Sequence, residues 1–76
     1  MENFSSRLKA IRTERRVYQR EVAEALGISV RAYQTYESGE CEPSIANLIA
    51  LADYFQVSTD YLLGRTDEPD CTKDRG

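Results

Sequence analysis

The sequence predicts an all-α fold, a compact five-helix domain, and three observations carry that expectation. Apolar residues recur at helical spacing, as Phe4, Leu8 and Ile11 do at i, i+4 and i+7. Capping residues bracket the periodic segments, with Ser29, Ser44 and Ser58 at starts and Gly27, Gly39 and Gly64 at stops. At 76 residues the chain has the length of one small domain, and no internal repeat divides it.

Taken in order, the first helix is expected from about Asn3 to Arg15, the second from Gln19 to Leu26 and the third from Val30 to Ser38, closed by Gly39. The loop Glu40-Cys41-Glu42-Pro43 leads to Ser44, which can cap a fourth helix from Ile45 to Phe55 with Leu48, Leu51, Ala52 and Phe55 inward. A last short helix opens at Ser58 or Thr59 with Asp60 in its first turn, carries Tyr61, Leu62 and Leu63, and stops at Gly64. Residues 1–64 form the expected domain. Residues 65–76, RTDEPDCTKDRG, read as a disordered acidic and polar tail.

The segment from Gln19 to Glu37 is a helix-turn-helix by residue chemistry. Ala23 supplies the small residue that lets two helix axes cross closely. Gly27 stands where the chain must turn left-handed, a conformation without penalty only for glycine. Ile28 follows, placed to cover Ala23, and Ser29 can accept from the first turn of the next helix. Ala32, Tyr33 and Tyr36 give that helix an apolar face, leaving Val30, Arg31, Gln34 and Thr35 on the other. In a DNA-binding helix-turn-helix the second helix enters the major groove, so these four are the candidate base-contacting residues. Arg31 can make a bidentate contact to guanine O6 and N7, whereas Val30 can meet only a thymine methyl or a sugar.

Charge opposes nucleic acid in total and favours it in distribution. The chain carries −3, but residues 1–39 hold seven basic residues against five glutamates, while residues 40–76 hold three basic and eight acidic. Cys41 and Cys71 lie 30 positions apart with no histidine anywhere, so neither a zinc site nor any other metal or cofactor is expected. No apolar stretch approaches the roughly 18 residues needed to span a bilayer, and a cytoplasmic protein with no membrane partner is expected. Without histidine, a glycine-rich phosphate loop or a metal set, an enzyme is not expected.

Residues 4–64 resemble the phage-repressor type, or xenobiotic-response-element (Cro-like) type, of helix-turn-helix transcriptional regulator. The resemblance rests on Arg12, Gln19, Ala23 and Gly27, the Tyr36-Glu37 pair with Gly39, Pro43-Ser44, and Val57-Ser58-Thr59-Asp60-Tyr61-Leu62-Leu63-Gly64. It implies a lambda-repressor-like five-helix domain that binds double-stranded operator DNA as a two-fold homodimer and regulates transcription, usually as a repressor. By position, Gln19 and Ser38 would contact phosphates, and Val30, Arg31 and Thr35 would contact bases with Gln34 beside them. The family commonly has a long polar residue where Val30 stands. Arg12 and Glu37 would form a partly buried structural ion pair.

Arg16 and Arg20 complete the candidate phosphate set, although the Arg15-Arg16 run also reads as a solvated helix end. Tyr33, Tyr36, Tyr54 and Tyr61 fall at or beside core positions of their helices. Ile49, Tyr54, Val57 and Tyr61 are the candidates for a dimer patch, or else complete the core. The alternative function is that of an antitoxin or antagonist, in which the same fold offers its acidic half to a basic toxin or other protein partner.

Overall fold

The computed structural model describes residues 2–66, and the expected acidic tail beyond Thr66, with Cys71, lies outside the described residues. Five helices follow one another: α1 (Glu2–Glu14), α2 (Gln19–Leu26), α3 (Val30–Ser38), α4 (Ile45–Phe55) and α5 (Thr59–Leu62). Helix α1 ends one residue before the expected Arg15 because Arg16 turns left-handed, with φ 59°, as the chain swings toward α2. The second helix packs on α3 and α4, the first on α3 and α5, and α4 on α5.

The start signals act as side-chain caps. Ser29 accepts from the Ala32 N–H at 3.0 Å, Ser44 from Asn47 at 3.1 Å and Ser58 from Tyr61 at 3.0 Å. Each satisfies one of the amides that a helix start leaves without an intrahelical partner, worth about 1 kcal/mol apiece. Helix α2 begins differently. Tyr18 offers no side-chain cap, and Glu21 reaches back to accept from the Tyr18 N–H at 2.8 Å.

Phe4, Leu8 and Ile11 from α1 meet Val22 and Ala23 from α2, Tyr33 and Tyr36 from α3, Leu51, Ala52 and Phe55 from α4, and Leu62 from α5 in one buried cluster. Burying each large apolar side chain in this set contributes about 2 kcal/mol against the ordering entropy of a short chain. Two further ties join elements at their ends. Arg15 Nη1 donates to the Phe55 carbonyl at 2.8 Å, closing the last turn of α4 from the end of α1. The Arg7 guanidinium lies 4.5 Å from the centre of the Tyr61 ring, joining α1 to α5.

Two helix ends use the same closure, and the second of them was not expected from the sequence. After α2, Gly27 takes φ 74° and the Ile28 N–H bonds the Ala23 carbonyl at 3.0 Å. After α4, Gln56 takes φ 57° and the Val57 N–H bonds the Ala52 carbonyl at 2.9 Å. Both are six-to-one closures that turn the following apolar side chain back onto its own helix. Val57 is therefore 2% exposed and belongs to the core, so its place in the expected dimer patch is corrected. Tyr54 departs the other way. It is 38% exposed, with its ring edge-on to Phe55, rather than a core tyrosine.

A β-carbon built at Gly27 meets nothing within 4 Å, so Gly27→Ala adds only the left-handed backbone penalty. Thermal unfolding is expected to show a loss of about 1 kcal/mol for Gly27→Ala and a gain of similar size for Gln56→Gly, which relieves that penalty at the second closure. Equal melting temperatures for both variants and the parent would contradict this account.

Candidate nucleic-acid interface

Helix α3 divides cleanly by face. Tyr33 and Tyr36 are buried, and the Tyr36 hydroxyl accepts from Asn47 Nδ2 at 3.0 Å, tying α3 to α4. The opposite face is open to solvent, where Arg31, Gln34, Thr35, Ser38 and Glu40 line a shallow depression of about 380 Å³. Val30 and Arg31 occupy the first turn of α3 and are exposed.

What fixes this helix is a carboxylate. Glu37, at the end of α3, is 5% exposed in its side chain and pairs with Arg12 of α1, which is 16% exposed. Arg12 Nε donates to Glu37 Oε2 and Nη2 to Oε1 at 3.2 Å, a bidentate pair. The third guanidinium nitrogen, Nη1, donates to the Val17 carbonyl at 2.8 Å and so holds the α1–α2 turn. The Tyr33 hydroxyl donates to Glu37 Oε2 at 2.6 Å, and Gln19 Nε2 donates to Oε1 at 3.1 Å. Four donors from α1, α2 and α3 thus converge on one carboxylate, two on each oxygen.

The electrostatics follow from this geometry. Burial pushes the Glu37 carboxyl up, but the hydrogen bonds from Arg12, Tyr33 and Gln19 outweigh it and hold the group below the ordinary carboxylate range. The hydrogen bond from Glu37 shifts Arg12 upward against the opposing effect of burial. Burial first, and then the bond to Glu37, push the Tyr33 phenol up. The carboxylate is ionised in the folded protein, and its partners are protonated.

The other residues singled out from sequence are placed as follows. Gln19 stands at the first position of α2, between Glu37 and Gln34, whose Nε2 donates to Gln19 Oε1 at 3.1 Å. The Thr35 hydroxyl donates to the Ala32 carbonyl at 2.6 Å, leaving its acceptor lone pairs and methyl for any ligand. The Ser38 hydroxyl donates to the Thr35 carbonyl at 3.2 Å and accepts from the Glu40 N–H, so a phosphate contact through its hydrogen requires release of that bond. Arg16 is exposed, and the Arg20 guanidinium lies 5.1 Å from the Tyr18 ring centre. Arg31 is exposed and makes no hydrogen bond or ion pair among the described residues.

Of the remaining dimer candidates, Ile49 is 48% exposed and Tyr54 is exposed, whereas Tyr61 is half-buried under Arg7. Ile45, which the sequence pattern did not single out, is more exposed than any of them at 77%. Also missed were the Tyr33 hydroxyl and the Gln19–Gln34 contact. The first was signalled by the i, i+4 spacing of Tyr33 and Glu37 on one helix face. Among the described residues no cluster of acidic residues and cysteines could hold a metal ion, and no helix is long and apolar enough to cross a membrane.

Glu37→Gln removes the charge but leaves Arg12 largely buried, and is expected to cost about 3 kcal/mol near neutral pH, seen as a melting temperature lower by about 10 °C or more. The sign of the pH dependence follows from the depressed carboxyl. The stability it contributes is complete above the ordinary carboxylate range of about 4.3 and is lost as pH falls through the lower folded value. The melting difference between parent and variant should therefore be widest at neutral pH and narrow below about pH 4, and a difference that is constant with pH would contradict the assignment.

Comparison with known proteins agrees with this arrangement. The helix-turn-helix family signature matches residues 8–62. The chain is 36% identical over 67 residues to YobD, an HTH-type transcriptional regulator of Bacillus subtilis, with 88% of this chain and 60% of that protein aligned. It is 46% identical over 52 residues to RstR, the cryptic phage CTXphi transcriptional repressor of Vibrio cholerae, covering 66% of this chain and 46% of the repressor. The crystal structure of the P22 c2 repressor with a synthetic operator superposes with a TM-score of 0.74 at 34% identity, over 78% of this chain and 89% of that one. The chain spans about half the length of the curated relatives it matches. With its signature matched from the middle of α1 to the end of α5, and with a repressor fold around the pair α2–α3, the chain belongs to the helix-turn-helix family.

Proposed function

We propose that this domain is a sequence-specific DNA-binding transcriptional regulator, a repressor, that places α3 in the major groove of a pseudo-palindromic operator as a homodimer. The observation that carries the reading is Arg31, an exposed guanidinium with no hydrogen bond or ion pair among the described residues, in the first turn of a helix held rigidly from behind. Arg31 is assigned to a guanine, with Val30 and Thr35 against neighbouring bases and Gln34 beside them. Arg16 and Arg20 approach phosphates on either side of the α2 start, where Gln19 and the amides of the first turn also favour an anion. Ser38 serves the phosphate at the far end of α3.

The kinship supports this reading, since the P22 c2 repressor was solved with operator DNA and RstR is a repressor. Ile49 and Tyr54, with the half-buried Tyr61, form the symmetric contact of the dimer. The protein acts in the cytoplasm, where its operator is.

Selection of bound duplexes from a randomised library, at low and moderate salt, tests the proposal. A pseudo-palindrome with half-site centres about 10 base pairs apart is expected, with binding that weakens steeply as salt rises. Arg31→Ala is expected to lose one guanine preference at a cost of about 1–3 kcal/mol. If a folded protein recovers no common sequence, the reading fails, and the acidic surface becomes the place to look for a protein partner.

A further inference from the structure

From Arg31 to Arg65 the chain has no intervening lysine or arginine, while Glu37, Glu40, Glu42, Asp53 and Asp60 all fall in that interval. Glu37 is matched by Arg12 and supports α3 from behind. Glu40 stands on the other side. It is exposed, lines the outer depression with Arg31, Thr35 and Ser38, and its carboxylate makes no hydrogen bond or ion pair among the described residues. A negative charge is thus set into the face assigned to DNA, with no neighbouring cation in the sequence to offset it.

Its place there is fixed by the backbone. Gly39 turns the chain with φ 84°, the Glu40 N–H donates to Ser38 Oγ at 3.3 Å, and the Cys41 N–H donates to the Thr35 carbonyl at 3.2 Å. Glu40 is therefore held against the C-terminal end of α3. A recognition helix meets base edges with its N-terminal residues, here Val30 and Arg31, so the far end of the depression faces the wall of the groove. A phosphate received by Ser38 would lie beside the Glu40 carboxylate. Two like charges at such a separation repel, and the repulsion is the same whatever base the phosphate belongs to.

We propose that Glu40 is an affinity-setting residue of the DNA interface, an acidic brake that opposes the phosphate at the far end of α3 and weakens the binding of every sequence alike. This rests on the DNA-binding reading above and deepens it. Arg31 determines which sequence is preferred, and Glu40 determines how strongly any sequence is held. Each protomer alone then binds weakly, and lasting occupancy depends on two half-sites engaged together.

The test compares the parent chain with Glu40→Gln and Asp60→Asn, each shown to be folded by its melting curve. Binding is titrated against the duplex recovered by selection and against an unrelated duplex, from low to high salt. Glu40→Gln is expected to tighten binding to both duplexes by roughly 3- to 10-fold for each protomer bound at low salt. The gain should shrink as salt rises, since the Debye length falls from about 10 Å at 0.1 M to about 3 Å at 1 M. Asp60→Asn makes the same change in net charge on an exposed residue of α5, outside the depression, and should leave binding close to that of the parent. The inference fails if Glu40→Gln binds no tighter than the parent, or if Asp60→Asn tightens binding equally, which would make the effect one of net charge. It fails too if Glu40→Gln changes the base preferred at any position of the selected sequence, because Glu40 would then be reading a base. If the parent selects no sequence and binds neither duplex at low salt, it is the DNA-binding reading that falls, and this inference falls with it.

Discussion

The arrangement of this domain turns on one buried carboxylate. Glu37 receives Arg12, Tyr33 and Gln19, groups that come from three different helices. The desolvation of an ionised group is tolerable only when each oxygen is well supplied with donors, and here each accepts two. The geometry therefore admits little variation. Moving α3 along or about its axis would break several charge-assisted bonds together, and the apolar packing of Tyr33 and Tyr36 alone would not impose that precision. Hydrophobic burial accounts for the compactness of the bundle, and the polar cluster accounts for the orientation of α3 within it.

Most of the fold was legible because its signals are local. A serine three residues before the amide it caps, or a glycine where φ must be positive, declares itself without knowledge of the partner helix, and Ser29, Ser44, Ser58 and Gly27 did so. Val57 was misplaced because its burial depends on Gln56 adopting a left-handed conformation that glutamine does not advertise. The exposure of Ile45 escaped for the opposite reason. The first turn of α4 projects past the core, although its sequence is as apolar as the buried turns behind it.

At the interface, sequence could assign residue types to the outer face of α3 but not their commitments. That Arg31 has no partner among the described residues while Ser38 and Thr35 spend their hydroxyl hydrogens on the helix backbone depends on rotamers. The Gln19–Gln34 contact joins residues 15 apart across two helices, and Arg15 reaches a carbonyl 40 residues away. No periodicity encodes such pairs. They follow from how the helices pack, and are visible only after the packing is known.

The titration behaviour of the Glu37 cluster has a physiological meaning. The carboxyl is driven down, the phenol and the guanidinium are driven up, and the chain contains no histidine. Across the whole neutral range nothing in the cluster exchanges a proton, so the posture of α3 is the same in mildly acidic and mildly alkaline surroundings. Acidification within that range is thus not an inducer that could reach the outer face of α3 through its support.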